Sequence, residues 1–283
     1  MGAATYFPVS PRPLRMRAGL QPFPSDHGNG LHDQQFFQID DSRDAYRAAR
    51  TEEARARCGA ISSPTNDPAH QQILEWIRIQ TTKEHPELGI DTSRGSRAVD
   101  FAAFDRVVSR LQEDIAIIRR RPGSPDALTL IHVCFPSNWR PEQLLGRSFQ
   151  HIHTPVPGFA QSPGAAANMV SAMIERDPSL RFVWSLSPDG LLDHHPSAPG
   201  RSTWDTATHG WMRVERQVTV GFPRVGAALF LIRTYLRRFD HLRPERRAVL
   251  AAAVRAMPLS IREYKGFRGH EATILRLLEG PTQ

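Results

Sequence analysis

The chain has 283 residues, 40% hydrophobic and 23% charged, the make-up of an ordinary globular protein with room for one large domain or a domain plus an extension. Its net charge of +7 sets 36 basic against 29 acidic residues, and only Lys83 and Lys265 among the basic ones are lysine. The arginines are scattered without interleaved aromatics, which argues against nucleic acid and leaves an acidic redox partner as the better use for a basic face.

Residues 1–40 are rich in Pro, Gly and Asp, with irregular apolar spacing, and read as an extended arm over a core with one short strand at 15–20. Residues 42–58 are charged and helix-prone but carry only Tyr46 and alanines as an apolar stripe, so a solvated helix is expected. Asp67 and Pro68 form a helix start, and Ile73, Leu74, Trp76 and Ile77 mark a buried face through about Gln80. After a Gly- and Pro-bearing link at 84–97, Asp100 caps a helix with Phe101, Phe104, Val107, Val108 and Leu111 at helical spacing. Strands follow at 115–120 and 127–135, closed by Arg121-Pro122-Gly123 and by Pro136. Helices are expected at 142–149 and 165–176, a strand at 182–186, and a long polar loop at 187–209 with His194 and His195 as a solvated patch. The clearest hairpin comes next, 211–220 and 225–235 about a turn at 221–224, before helices at 244–256 and up to Leu278. This order predicts an α+β fold with an antiparallel sheet preceded by a helical extension. No GxGxxG or phosphate loop occurs, so a doubly wound nucleotide-binding fold is not expected.

Cys58 and Cys134 lie far apart with no CxxC spacing, which predicts reduced thiols and a cytoplasmic setting. Cys134, between Val133 and Phe135, reads as a small buried hydrophobe. No apolar run reaches the length of a membrane span, and no GxSxG nucleophile context is present.

Chemistry concentrates in residues 132–159, HVCFPSNWRPEQLLGRSFQHIHTPVPGF, where His151 and His153 precede the rigid exit Pro155-Val156-Pro157-Gly158. Their i, i+2 spacing is poor for a shared zinc, whereas one axial histidine for iron needs no motif partner. Either histidine could equally pack at a sharp corner. In strand 211–220, Met212, Val214, Val218 and Val220 face one way and Arg213, Glu215 and Gln217 the other. The polar side is either a solvent face or a pocket where Glu215 holds a protonated amine and Arg213 polarises oxygen. Arg216, on the apolar side, needs a partner if buried.

Together with MRVERQVTVGFPRVGAALFLIRTY at 212–235 and REYKGF at 262–267, the 132–159 stretch resembles signature blocks of the heme-dependent oxidative N-demethylase alpha-subunit family. PLRMRAGLQPF at 13–23 and LQEDIAII at 111–118 are similar to two further blocks in the same order. The resemblance implies a PAS-like antiparallel sheet with flanking helices holding heme b. Residues 1–122 would form the arm and helical extension, and 123–283 the heme domain with its C-terminal helices, packed as one unit. It also implies oxygen-dependent removal of a methyl group from a small-molecule amine, releasing formaldehyde. Electrons would come from NADPH through a separate partner carrying FMN and an iron–sulfur cluster. The family histidine falls on His153, making it the expected iron ligand. The RVERQ block makes Glu215 and Arg213 the expected catalytic pair; Arg216 of that block and Arg233 further along are the expected cofactor contacts. Where the family reads Asn-Trp-Ser-apolar-His, this chain has Val183-Trp184-Ser185-Leu186-Ser187, which points either to a different amine or to a chemistry other than demethylation. The other reading is a heme-PAS oxygen sensor or heme-binding protein without turnover.

Overall fold

The strands are β1 (Gln21–Pro22), β2 (Gly59–Ile61), β3 (Asp114–Arg120), β4 (Asp126–His132), β5 (Ser179–Ser187), β6 (Trp211–Phe222) and β7 (Ala227–Arg238). They form one seven-stranded antiparallel sheet in the order β1-β5-β6-β7-β3-β4-β2. The computed structural model describes residues 4–10, 19–61, 67–92, 99–159 and 164–280. The strand expected at 15–20 falls mostly outside them, and β1 begins at Gln21. The α+β architecture is the one expected. A boundary at residue 122 falls in the turn between β3 and β4, and both edge strands of the sheet come from the first 61 residues.

The helices are α1 (Leu31–Gln34), α2 (Arg43–Ala49), α3 (Glu52–Cys58), α4 (Pro68–Glu84), α5 (Phe101–Val108), α6 (Phe149–Ile152), α7 (Ala165–Glu175), α8 (Pro244–Arg255), α9 (Leu259–Tyr264) and α10 (Glu271–Glu279). Two starts lie where their caps require. Asp67 accepts the N–H of Ala69 at 2.9 Å, and Asp100 that of Ala103 at 2.8 Å. The helix expected across 42–58 is instead two, because Thr51 leaves the helix to cap α3 by accepting the N–H of Ala54. The helix expected at 142–149 is reduced to a 3₁₀ turn at Pro141–Gln143. Gly146, at φ 77°, turns the chain back so that its N–H bonds the carbonyl of Leu128.

Because side chains alternate along strands, the long β6–β7 hairpin presents two different faces. On the first, Val218, Val220, Leu229 and Leu231 pack with Ile73, Leu74 and Ile77 of α4 and Phe104 and Val108 of α5. Met212 and Val214 continue that face against α8, α9 and α10 through Leu250, Ile261 and Ile274. The second face is covered at one end by α6 and α7, through Phe149, Val170, Met173 and Ile174. There α7 crosses β6 so closely that a Cβ on Gly221 would stand 2.4 Å from the carbonyl oxygen of Ile174. Gly221→Ala is therefore expected to lower stability by about 1–3 kcal/mol, the range for overpacking a tight contact, as read from denaturant unfolding.

Candidate functional site

Midway along the second face no helix of the described residues covers the sheet completely. Ala116, Val183, Glu215, Gln217, Phe230 and Ile232 are only half-buried there, although each lies in a central strand. They form a partly exposed strip of the sheet, here termed the groove, with apolar Ala116, Phe230 and Ile232 as its floor and the Glu215 carboxylate at one side.

His153 stands at one edge of this groove. Ser148 caps α6, and the chain leaves the helix immediately before Pro155, so the His153 ring is fixed at the helix end. Its Nδ1 lies 2.9 Å from the carbonyl of Phe149, and only a protonated Nδ1 can donate to that oxygen. The tautomer left has its lone pair on Nε2, which has no hydrogen-bond partner among the described residues. Phe149 and Phe159 flank the ring with centroids 4.0 and 5.2 Å away. Burial, aided by the charge of Arg181, holds the imidazole below its ordinary pKa against the pull of the Phe149 carbonyl, favouring the neutral ligand form. His151, two residues earlier, is exposed.

Glu215 faces the groove from β6. Ser137 donates to its Oε1 at 2.6 Å and Gln217 to its Oε2 at 2.9 Å. Arg213 is 2% exposed and its N–H groups are committed: Nε to Ser137 Oγ at 2.8 Å, Nη1 to the Leu192 carbonyl at 2.9 Å, Nη2 to the Phe135 carbonyl and to Thr234. It thus anchors the 135–137 turn that holds Glu215, and its Nε is 3.8 Å from the carboxylate.

Three side chains that sequence reading did not single out join this group. Arg181 of β5 acts electrostatically on both His153 and Glu215. Tyr264 and Lys265, from the REYKGF block, act on Glu215 from the α9 side. Lys265 donates to the Trp184 carbonyl and sits 5.1 Å over the Trp184 ring. Burial pulls its ammonium pKa down to about 8, with Glu215 opposing. The sequence signal for Lys265 was its rarity, one of two lysines among many arginines.

Arg216 and Arg233 lie on the other face, paired directly across β6 and β7. Arg216 donates to the carbonyls of Gln35 and Phe36, and Arg233 to Asp40 at 2.9 Å while covering the Tyr46 ring at 4.0 Å. The sheet separates both from His153; the guanidinium groups on the groove side are those of Arg213 and Arg181. His194 and His195 are not a solvated patch. Both are buried, because the loop folds back and supplies carboxylates: Asp189 at 3.0 Å from His194 and Glu142 at 3.2 Å from His195. In the divergent block, Val183 lies directly opposite Glu215, and Ser187 Oγ lies 3.3 Å from His194 Nε2.

The donor chemistry fits an iron porphyrin. A neutral imidazole nitrogen without a partner among the described residues, held beside an apolar floor and aromatic rings, is what an axial ligand requires. No helix among the described residues is long and apolar enough to cross a membrane. Residues 29–275 match the family described as Haem-dependent oxidative N-demethylase, alpha subunit-like, and the chain belongs to that family.

Proposed function

We propose, with that membership as premise, that the protein is a heme-dependent oxidoreductase that removes a methyl group from a secondary amine in the groove between His153 and Glu215. One observation carries the reading: a histidine whose Nε2 has no hydrogen-bond partner among the described residues and a hydrogen-bonded carboxylate both interact electrostatically with Arg181, beside a half-buried stretch of the sheet. The strand order supports a PAS-like sheet, since the long strands run third, fourth, fifth, first, second across its centre. His153 would hold the iron and Arg181 a propionate. Bound there, heme supplies oxygen binding and electron transfer.

The chain's own residues do the rest. Glu215 takes the protonated amine by charge-assisted hydrogen bonding, and Ser137 and Gln217 fix its two oxygens so that the amine is oriented. Arg213 is a positioning residue, acting through Ser137. Glu215 can then receive the N–H proton as the amine carbon is oxidised to an iminium, which water hydrolyses to formaldehyde and the shorter amine. Each turnover consumes O2, two electrons and two protons, and yields water beside the organic products. The electrons are proposed to come from NADPH through a separate FMN/iron–sulfur reductase. Val183, opposite Glu215, makes the wall beside the carboxylate aliphatic and favours an amine with an apolar substituent.

The test is the absorption spectrum of the purified protein followed by formaldehyde release from a panel of N-methyl amines with a reducing system. A Soret band with formaldehyde release is expected. A Soret band without release from any amine would favour the oxygen-sensor reading, and no Soret band would remove both.

Lys265 gives the site a pH signature. Below about pH 8 its positive charge opposes the attraction of Glu215 for a cationic amine; above that pH the opposition is lost. KM for the amine should therefore fall as pH rises through about 8. In Lys265→Met that step should vanish, which pH profiles of kcat/KM would show.

A further inference from the structure

We propose that Asp114, His132 and Cys134 bind one divalent metal ion of the zinc type, at a site separate from the groove and independent of the reading above. Asp114 opens β3, His132 ends β4, and Cys134 follows two residues later where the chain bends. All three side chains are buried, and their donor atoms lie within 4.8 Å of one another.

His132 is the residue that points to an occupant. Its side chain is fully buried and its Nε2 is fixed 2.9 Å from Asp105 Oδ1, with the ring stacked on Phe101. Its buried Nδ1 has no nitrogen or oxygen partner among the described residues and is left to the thiol of Cys134. A carboxylate behind one nitrogen, with the other left for a ligand, is how metal-binding imidazoles are oriented. One sulfur, one imidazole nitrogen and one carboxylate oxygen form a donor set suited to zinc and unsuited to magnesium or calcium, which prefer all-oxygen shells. A fourth, tetrahedral position is left to a water molecule.

Charge is consistent with this. Asp114 is paired with Arg50 at 3.1 Å and Asp105 with Arg55 at 3.0 Å, so with a thiolate at Cys134 the loaded cluster would carry one net positive charge. On loading, the Cys134 S–H bond breaks, the sulfur–metal bond forms and the proton leaves to solvent. Bonds of about 2.0–2.3 Å require the donors to draw together from their present spacing.

The ion would act as a clip. Asp114 already accepts the backbone N–H groups of Cys134 and Phe135, at 3.0 and 2.8 Å. The same turn supplies the Phe135 carbonyl to Arg213 and the Ser137 hydroxyl to Glu215. Metal at Cys134 would pin the segment that holds the carboxylate.

Elemental analysis of the full-length, tag-free protein after desalting should find about one equivalent of zinc per chain, counted separately from heme iron. His132→Gln and Cys134→Ser should each lower it roughly ten-fold or more. Growth with cobalt should give the wild type a thiolate-to-cobalt charge-transfer band, absent from Cys134→Ser. Because wild type itself carries both readouts, poor folding of a variant does not shield the proposal. Wild type with less than about a tenth of an equivalent of zinc and no cobalt band would overturn it, leaving a direct Cys134–His132 contact.

Discussion

His153→Ala is expected to abolish heme retention. The iron would lose its only proposed protein ligand, and since even an outer-shell partner of a metal ligand is worth roughly 10–100-fold in affinity, the loss here should exceed about a hundred-fold. The fold should survive, because the ring is half-buried at the end of a four-residue helix rather than in a core cluster. The measurement is heme content and Soret position in protein reconstituted with hemin, beside far-UV circular dichroism. His151→Ala, at the exposed neighbour, should leave both unchanged. Unchanged heme content and Soret spectrum in His153→Ala would remove the residue from the iron.

Glu215→Gln should do the opposite, keeping heme and losing turnover. The amide preserves size and can still meet Ser137 and Gln217, but it carries no charge to attract the ammonium and accepts no proton. A loss of roughly 10²–10⁴-fold in kcat/KM is expected from the proton-transfer role alone. Single-turnover formaldehyde release, with heme content as control, separates the two variants. Activity near wild type would take Glu215 out of the mechanism.

The parts of the fold governed by local chemistry were legible beforehand. The two aspartate caps, the period-2 alternation of β6 and the Pro-bounded hairpin turn each follow from a few neighbouring residues. The interruptions were harder to read. Gly146 ends a helical pattern because its N–H is used by Leu128, a strand away. In the site, His153 and Glu215 were accessible through their motifs, whereas Arg181 and Lys265 meet Glu215 only once β5, β6 and α9 are assembled. Arg216 on an apolar strand face requires a partner, but that partner lies 181 residues earlier, a distance no spacing rule spans. The burial of His194 and His195 likewise depends on Asp189 and Glu142 closing over a loop of polar composition.

The β6–β7 ladder alternates two kinds of rung. Arg216 beside Arg233 serves the N-terminal arm, and the adjacent rung, Glu215 beside Thr234, serves the groove. A slip of β6 by one residue would turn its side chains over, delivering the Arg216 guanidinium to the apolar floor and the Glu215 carboxylate to the backbone carbonyls of Gln35 and Phe36. Both outcomes bury charge without its partner, so the two rungs add an electrostatic check to the hydrophobic patterning that already sets the register. The arm completes that check, because the carbonyls of Gln35 and Phe36 and the carboxylate of Asp40 are the acceptors that Arg216 and Arg233 meet only in the right register.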